Sequence, residues 1–576
     1  MFVFFPVCIF AGMRPMLTVI LLCTSLYLSG QSDYPKGYFR NPLDIPINLS
    51  GNFGELRPNH YHMGLDLKTN QRENLRVYAA ADGYIARVKI EPGGFGRAIY
   101  INHPNGYTTL YAHLNNFNPK LEAYVKQKQY EQESWKVYLE VPQELFPVKK
   151  GDFIAYSGNT GGSQAPHLHF EIRRTADDVN VNPLLFGMPL KDHVAPRILR
   201  LALYDRTRSV YEQTPKIIGV KAAGSNAYTT VPAIVKINAP IVSLALTTFD
   251  THTGSSNLNG VYKATLYVDE SEEESFKMDN ISYNDTRYLN AHIDYRYRAT
   301  AGSYLQHLSE LPGYMNSIYS AGNGKGVIDI SDGLPREIEI VVADTEGNAC
   351  RVKTMIQFDP KLPAAIPVNG HKFYPFMLDG LETENCEFYI GERCLYDSVH
   401  VRYDITASSS TDVVSDVHII GASYIPMHDS MLVRIKPDVT FLPAYRDKTV
   451  MQWRSGGKSA VQKVQWQGEW ASARFRDFGT FHLVRDTTKP VITPSFAEGA
   501  NVSKSGRITF TVSDNLPGVK NVRAELDGKW LRFTNDKGRT FIYTFDEKCL
   551  PGSHVLEITA EDEAGNVSVL RRRFIR

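Results

Sequence analysis

The chain has 576 residues, 63 basic and 62 acidic side chains, and a formal net charge of +1. This balance argues against nucleic acid or an anionic membrane surface as a partner. An apolar content of 43%, with 11% aromatic residues, excludes wholesale disorder. At roughly 100–200 residues per domain, the length predicts about three to five domains.

The N-terminal 30 residues differ from the rest of the chain. Arg14 precedes an apolar run at 16–28 that ends in small residues, which predicts a secretory signal peptide over residues 1–30. The run is shorter than the about 20 residues of a membrane-spanning helix, although an uncleaved N-terminal anchor is the alternative. Translation begins at either Met1 or Met13. We therefore expect an exported protein of the periplasm or cell envelope, with no transmembrane segment in its mature form.

Short β-rich runs separated by Gly, Pro and Asn predict a mainly all-β fold. Such runs occur at 77–80, 84–90, 98–102, 107–111 and 153–156.

One segment departs from the β pattern. Residues 119–135 are rich in Lys, Glu and Gln and begin with proline, which predicts a helix of about four turns.

Histidines are concentrated in one region, where six of the 16 lie between positions 60 and 169. His62 and Asp66 stand four residues apart, and His167 and His169 stand two apart. On strands, each pair would point to one face of the sheet, so two adjacent strands would direct all four side chains into one cleft. Catalytic zinc uses three such protein ligands and keeps one position open for water.

The surrounding motifs strengthen this interpretation. They follow in the order HMGLD (62–66), VYAAADGY (77–84), YAHL (111–114), VKKGD with SGNTG (148–161), and PHLHFE (166–171). This series resembles the lysostaphin-type (LytM-type) zinc metallopeptidases, which cleave the peptides of bacterial peptidoglycan. The resemblance extends from about residue 50 to residue 182 and implies a small antiparallel β-sheet with a groove over it.

The resemblance also implies roles for individual residues. His62, Asp66 and His169 match the family's zinc ligands, one zinc per chain, and His113 and His167 match its two catalytic histidines. No glutamate base of the HExxH type is present, and a histidine can take the proton instead. We expect His113 to act as the general base or to orient the water. His167 would stabilise the oxyanion or donate a proton, and the two roles can be exchanged.

Three other residues near these motifs have alternative roles. His60 forms a second HxH pattern with His62, but only His62 stands four residues before Asp66. His103 precedes a Pro-Asn-Gly turn and is expected to be structural. Arg57 is either a structural arginine or a group that meets a substrate carboxylate.

The segment 117–147, which includes the predicted helix, is longer than a simple connection requires. It either walls one side of the groove or is a surface insertion.

The C-terminal part contains an internal repeat. Asp192 and Pro196 correspond to Asp486 and Pro490, and a later Gly-Asn turn occurs in both copies. The predicted domains are the peptidase domain (31–190), an immunoglobulin-like sandwich (191–359) with an insertion at about 270–326, a β-rich sandwich (360–485) and a second immunoglobulin-like sandwich (486–576). The resemblance here is to bacterial immunoglobulin-like or fibronectin-like modules, which would act as spacers or bind protein or glycan.

Two interpretations of the cysteines at 386 and 394 are open. Cys386 and Cys394 flank a short turn and would form either a disulfide or two buried thiols.

The sequence thus predicts a secreted or periplasmic zinc endopeptidase whose partners are peptidoglycan peptides. Two alternatives stay open, namely a non-catalytic regulator or binder of cell-wall hydrolases and a secreted peptidase of proteins. All five key positions are filled, which argues against the regulator.

Overall fold

The computed structural model describes residues 34–322, 324–408, 410–439 and 441–576. The predicted signal peptide, residues 1–30, lies outside the described residues. The fold is mainly β, as the sequence predicts. Within the described part, no helix has the length and apolar character needed to cross a membrane.

The N-terminal region up to residue 190 contains a large antiparallel sheet, a smaller three-stranded sheet and a two-stranded sheet. Its strands are β1 (Leu49–Gly51), β2 (Leu56–Arg57), β3 (His60–Tyr61), β4 (Leu65–Lys68), β5 (Arg76–Tyr78), β6 (Gly83–Ile90), β7 (Arg97–Asn102), β8 (Tyr107–Ala112), β9 (Leu114–Phe117), β10 (Val137–Glu140), β11 (Pro147–Val148), β12 (Phe153–Ser157), β13 (His167–Arg174) and β14 (Asn180–Val181). The large sheet has the order β1-β4-β13-β8-β7-β6-β10, and the small one the order β5-β12-β9. Leu65, Phe170 and Ile154 belong to one buried core that fills the space between the two sheets.

The predicted helix is present as α1 (Pro119–Glu131) and is shorter than the predicted 119–135. The side chain of Asn118 caps it by accepting a hydrogen bond from the backbone N–H of Leu121, and Pro119 occupies the first turn. Leu121 and Val125 face the core. The helix ends before Glu133, whose φ of 46° cannot continue it.

Residues 192–359, here called the first repeat unit, form an 11-stranded sheet. The strands of this unit are β15 (Arg197–Asp205), β16 (Lys216–Gly224), β17 (Ala227–Ile237), β18 (Ile241–Phe249), β19 (Lys263–Val268), β20 (Ser271–Lys277), β21 (Asn280–Ile281), β22 (Gln306–His307), β23 (Tyr319–Ala321), β24 (Ile328–Asp329), β25 (Arg336–Ala343) and β26 (Ala349–Phe358), and all of them except β21 belong to the 11-stranded sheet. The predicted insertion also contains two helices that the sequence analysis did not predict, α2 (Leu289–His292) and α3 (Tyr295–Ala301). Its strand β21 pairs with β14 and so extends the sheet of the N-terminal region.

Residues 360–485, the middle unit, contain two five-stranded sheets and one two-stranded sheet. The strands are β27 (His371–Phe373), β28 (Asp379–Glu382), β29 (Cys386–Ile390), β30 (Val399–Val401), β31 (Tyr403–Thr406), β32 (Val417–Ile420), β33 (Pro426–Ile435), β34 (Thr449–Ser455), β35 (Lys458–Lys463), β36 (Gln465–Gln467), β37 (Trp470–Asp477) and β38 (Gly479–Arg485). Cys386 and Cys394 are buried free thiols, which agrees with the second of the two readings.

Residues 486–576, the second repeat unit, consist of β39 (Val491–Pro494), β40 (Ala500–Asn501), β41 (Arg507–Ser513), β42 (Val519–Leu526), β43 (Lys529–Trp530), β44 (Thr540–Thr544), β45 (Ser553–Asp562) and β46 (Val567–Ile575). The order β43-β42-β45-β46-β40 repeats the order β20-β19-β25-β26-β17 of the first unit. In both units the last of these pairs is parallel. The two segments therefore share a strand order, as the sequence repeat predicts. Their assignment as immunoglobulin-like stays a prediction.

Candidate metal centre

Three of the predicted site residues meet at one point in the large sheet. Asp66 on β4 stands directly opposite His169 on β13 in the strand register, and His62 follows β3. The His62 Nε2 and His169 Nδ1 atoms each lie 2.9 Å from Asp66 Oδ1 and 3.0 Å from one another. All three side chains are buried.

The path of the chain differs from the expectation that His62 and Asp66 share a strand. β3 ends at Tyr61 and β4 begins at Leu65, so the two side chains come from separate strands. The turn between them passes close to β13, because a Cβ added at Gly64 would lie 2.4 Å from the carbonyl oxygen of Phe170. Only glycine fits here, and this contact brings His62 over Asp66.

Hydrogen bonds on the far side of each ring decide which nitrogen faces the centre. His62 Nδ1 donates to the carbonyl of Asn52 at 2.8 Å, and His169 Nε2 donates to Glu171 Oε1 at 2.9 Å. In the neutral rings that bind a metal, the opposite nitrogens carry lone pairs, which converge on the Asp66 carboxylate oxygen. Three acceptors this close repel one another unless a proton or a metal cation lies between them.

This donor set fits zinc. Two imidazole nitrogens and one carboxylate oxygen are among the ligands that zinc prefers. A tetrahedron with ligand distances of about 2.0–2.1 Å has edges of about 3.3 Å, so a slight outward shift of the three atoms would admit the ion. The outer hydrogen bonds to Asn52 and Glu171 are those that orient metal-binding histidines.

Glu171, the last residue of the PHLHFE motif, is a further residue of the site for which the motif predicted no role. It is fully buried and accepts hydrogen bonds from Arg173 and Asn180, each at 2.7 Å. Although burial alone would raise the pKa of Glu171, the charge of Arg173 and the contact with His169 hold it at about 2. The signal was present in the sequence, because Glu171 stands two residues after His169 and so shares its face of the strand.

A fourth partner of Glu171 comes from the first repeat unit. Tyr283 donates a hydrogen bond of 2.7 Å to Glu171 Oε1, and the Arg173 guanidinium lies 4.8 Å from the centre of the Tyr283 ring. The sequence alone does not reveal this contact, since Tyr283 is more than 100 residues from Glu171, in the segment predicted to be an insertion.

The two other predicted histidines lie beside the three-residue group. His113 follows β8, which pairs with β13 as expected, and its ring centre lies 4.7 Å from that of His167. His113 Nδ1 donates to the carbonyl of Thr160 at 2.9 Å, and His167 Nδ1 donates to the carbonyl of Ala165 at the same distance. Their Nε2 atoms are left for the site, and that of His167 lies 3.3 Å from Asp66 Oδ1.

His113 has an unusual backbone and an altered acidity. Its φ of 59° is uncommon for a residue other than glycine. Burial, together with the nearby His169 and His167, lowers the pKa of His113 to about 3. The imidazole is therefore neutral near pH 7, and its Nε2 carries a lone pair because Nδ1 holds the proton.

Three other residues considered as possible site residues lie outside the His62, Asp66 and His169 group. His60 is exposed at the rim of the groove, with its Nδ1 bonded to the carbonyl of Pro58. His103 is structural, as expected, and bridges the Asp82 carbonyl and the Thr109 hydroxyl. The Arg57 guanidinium forms an ion pair with Asp66 Oδ2 at 3.1 Å, which supports the interpretation of Arg57 as a structural arginine.

The site opens into a groove of about 1100 Å³. Phe95, Tyr283 and the loop 162–166 contribute to its walls. The segment 117–147 contributes no residue to the lining of this groove, which favours the second alternative, an insertion outside the groove.

Helix α1 instead contacts the second repeat unit. Lys126 pairs with Asp546 at 2.7 Å, and the rings of Tyr130 and Trp530 lie 5.2 Å apart. The same unit reaches the groove wall through Lys537, whose Nζ donates to the carbonyl oxygens of residues 161 and 163. Two distant parts of the chain therefore contact the site region.

An antiparallel sheet with a buried His-Asp-His group at the base of a groove defines a candidate metalloprotein domain. Comparison with known families specifies it further. The model of Peptidase family M23 matches residues 60–130 and 140–183. This chain therefore carries an M23 (LytM-type) peptidase domain. A second family model, described as a Zu5-like domain, matches residues 379–486 and so covers most of the middle unit.

Individual relatives agree with the family match. An uncharacterized metalloprotease of Haemophilus influenzae is 34% identical over 163 residues, which are 27% of this chain and 28% of that protein. The DD-carboxypeptidase/endopeptidase Mpg of Neisseria meningitidis is 34% identical over 128 residues, which are 22% of this chain and 23% of that protein. The chain thus spans only about a quarter of the length of these curated relatives.

Two solved structures are similar to part of this chain. The catalytic domain of lysostaphin from Staphylococcus simulans is 26% identical, covering 27% of this chain and 91% of that chain, with a TM-score of 0.16. A zinc-containing peptidase from Vibrio cholerae is also 26% identical, covering 26% of this chain and 37% of that chain, with a TM-score of 0.17. TM-scores this low add nothing to the family match.

Proposed function

We propose that this chain is a zinc-dependent endopeptidase that hydrolyses peptide cross-links of bacterial peptidoglycan. The observation that carries the proposal is the convergence of three metal-binding atoms, on His62, Asp66 and His169, beside two further histidines that face the same groove. A purely structural cluster would not need both His113 and His167 to anchor their Nδ1 atoms on backbone carbonyls and so leave Nε2 on the side of the site.

His62, Asp66 and His169 would hold one zinc ion. Zinc in such a site lowers the pKa of a bound water to about 7 and polarises the scissile carbonyl. The protein's own contribution is to fix the ligands through Asn52 and Glu171 and to keep them buried.

The two remaining histidines supply the proton transfers. Neutral His113 is placed to take a proton at Nε2 from the attacking water, because its Nδ1 is fixed on the Thr160 carbonyl. His167 is placed to stabilise the charge that develops on the carbonyl oxygen, or to hand a proton to the leaving nitrogen. The geometry allows these two roles to be exchanged.

Peptidoglycan peptides are the substrate class that the relatives suggest. The Neisseria relative is named a DD-carboxypeptidase/endopeptidase, and lysostaphin is also among the relatives. The apolar segment at 16–28 supports export to the periplasm or cell envelope, where this substrate lies. The β-rich units would act as spacers or bind protein or glycan.

The test is digestion of cross-linked muropeptides by the purified chain, with and without a chelator, followed by mass analysis of the products. Substrates with direct cross-links and with glycine bridges should be compared. We expect a cut peptide bond that is lost with chelator, restored by zinc, and lost in Asp66→Ala. Hydrolysis of unfolded protein but not of muropeptides would favour a secreted peptidase of proteins. Bound zinc without any hydrolysis would favour a regulator.

A further inference from the structure

Three aspartates converge in the first repeat unit, away from the peptidase site. Asp192 precedes β15, Asp250 follows β18, and Asp344 follows β25. One carboxylate oxygen from each lies within 4.8 Å of the other two, and all three side chains are buried. They line a small cavity at the junction with the peptidase domain.

The cluster lacks a balancing charge. In the described part of the chain, no lysine or arginine forms an ion pair with any of the three. Burial, and then the neighbouring Asp192 and Asp344, raise the pKa of Asp250 to about 7. Three carboxylates so close are tolerated only when protons or a cation neutralise them.

A second, independent feature points to a ligand. Asn259 lines the same cavity, is 5% exposed, and its Oδ1 has no hydrogen-bond partner among the described residues. Its Nδ2 atom already contacts His252 Nδ1 at 3.4 Å. Asp250 Oδ1 is likewise buried without a partner. Buried polar atoms are nearly always paired, so these two oxygens are ready to coordinate an ion.

The same arrangement recurs in the second repeat unit. Asp486 precedes β39, Asp514 follows β41, and Asp562 ends β45, again with one oxygen each within 4.8 Å. Both carboxylate oxygens of Asp514 lack a hydrogen-bond partner within the described residues.

An asparagine side chain stabilises each of the two aspartate clusters in the same way. Asn348 Nδ2 donates to Asp344 Oδ2 at 2.7 Å and to the Asp192 carbonyl at 3.4 Å. Asn566 Nδ2 donates to Asp562 Oδ2 at 2.8 Å and to the Asp486 carbonyl at 3.0 Å. The same arrangement in both repeat units argues against a chance cluster of acids.

We propose that each repeat unit binds one calcium ion, at Asp192/Asp250/Asp344 and at Asp486/Asp514/Asp562. All the donors are oxygens, with no imidazole or thiolate among the three clustered ligands, which favours a hard cation over zinc. Calcium takes 6–8 oxygen ligands at flexible angles, and Asn259 Oδ1 and water would complete the first site.

A short chain of hydrogen bonds connects the first calcium site to the peptidase centre. Asp250 and Asn259 pair through their backbones, and Asn259 precedes Gly260. The Asn52 side chain exchanges two hydrogen bonds with the backbone of Gly260, at 2.8 and 2.9 Å. The carbonyl of Asn52 in turn holds His62 Nδ1. Calcium would therefore stabilise the position of the Asn52 carbonyl, which orients His62, a predicted zinc ligand.

The experiment is equilibrium dialysis of the full, metal-stripped chain against radioactive calcium. We expect two calcium ions per chain, one in Asp250→Asn, and none in the Asp250→Asn/Asp514→Asn double variant. The matched control is Asp269→Asn/Asp527→Asn. These aspartates lie on exposed turns at equivalent positions of the two units, and each accepts a backbone hydrogen bond. The control should keep both ions.

Thermal unfolding separates calcium binding from a folding defect. Calcium should raise the unfolding midpoint of the wild type, increasingly with its concentration, and should leave that of the double variant unchanged. Without metal, Asp250→Asn should be at least as stable as the wild type, because it removes a buried repulsion. No bound calcium in the wild type, undiminished binding in the double variant, or an equal effect of magnesium would overturn the proposal.

Discussion

Tyr283 donates a hydrogen bond of 2.7 Å to Glu171, the carboxylate that orients His169. The tyrosine belongs to the first repeat unit, and the glutamate belongs to the peptidase domain. A residue outside the peptidase domain thus takes part in positioning a candidate zinc ligand.

Replacing Tyr283 by Phe should therefore weaken zinc binding while the fold is kept. Outer partners of metal ligands are worth roughly 10–100-fold in metal affinity or activity. The measurement is competition for zinc with a chelator of known affinity. The control is Tyr389→Phe, which removes a similar hydrogen bond to Glu382 in the middle unit. Equal zinc affinities in the two variants would show that Tyr283 has no such role.

His113→Ala and His167→Ala should each keep zinc and lose hydrolysis. A general acid–base or oxyanion group contributes roughly 10²–10⁴-fold to the rate. In contrast, His169→Ala should lose both the metal and the activity. Metal content and muropeptide turnover are measured on the same preparations. Near-normal turnover in His113→Ala would remove that residue from the mechanism and leave His167 with the proton transfers.

Lys537→Ala should lower turnover without loss of zinc. The lysine of the second repeat unit holds the carbonyls of residues 161 and 163. The loop that follows fixes His167 through Ala165. A displacement of about 1 Å at a catalytic group can reduce the rate up to roughly 10²-fold.

The control for this change is Lys529→Ala, which alters an exposed lysine of the same unit. Steady-state kinetics on one muropeptide compares the two variants with the wild type. If both variants turn over like the wild type, the contact with the loop serves only to dock the unit.

The stability of the chain should fall in mild acid partly because of His103. Burial lowers the pKa of His103 to about 4, from a usual value of 6.5. Between these values the unfolded chain binds a proton that the folded chain does not, so stability is lost as the pH falls from 6.5 towards 4.

Urea unfolding of the wild type and His103→Gln at pH 7 and about pH 5 measures this contribution. Glutamine can replace both hydrogen bonds but does not titrate in this range. The variant should lose less stability than the wild type over the interval. An identical loss in both proteins would assign the acid sensitivity to other groups.

The local pattern of the sequence determined much of the peptidase domain. The predicted strands at 84–90, 98–102 and 107–111 correspond to β6, β7 and β8 within one or two residues. The helix that begins at Pro119 could also be predicted, from the composition of the segment and from its first residue. Side-chain alternation placed His167 and His169 on one face of one strand, because the period of two is a property of the backbone itself.

The sequence could not determine which residues from distant segments complete the site. Tyr283, Lys537 and the aspartate clusters come from segments that are far apart along the chain, and only strand pairing and domain packing bring them together. The turn at Gly64, which separates His62 from Asp66, likewise depends on contact with β13. Local spacing fixes which side chains share a face, whereas contacts between faces follow from burial of the whole molecule, which is a tertiary property.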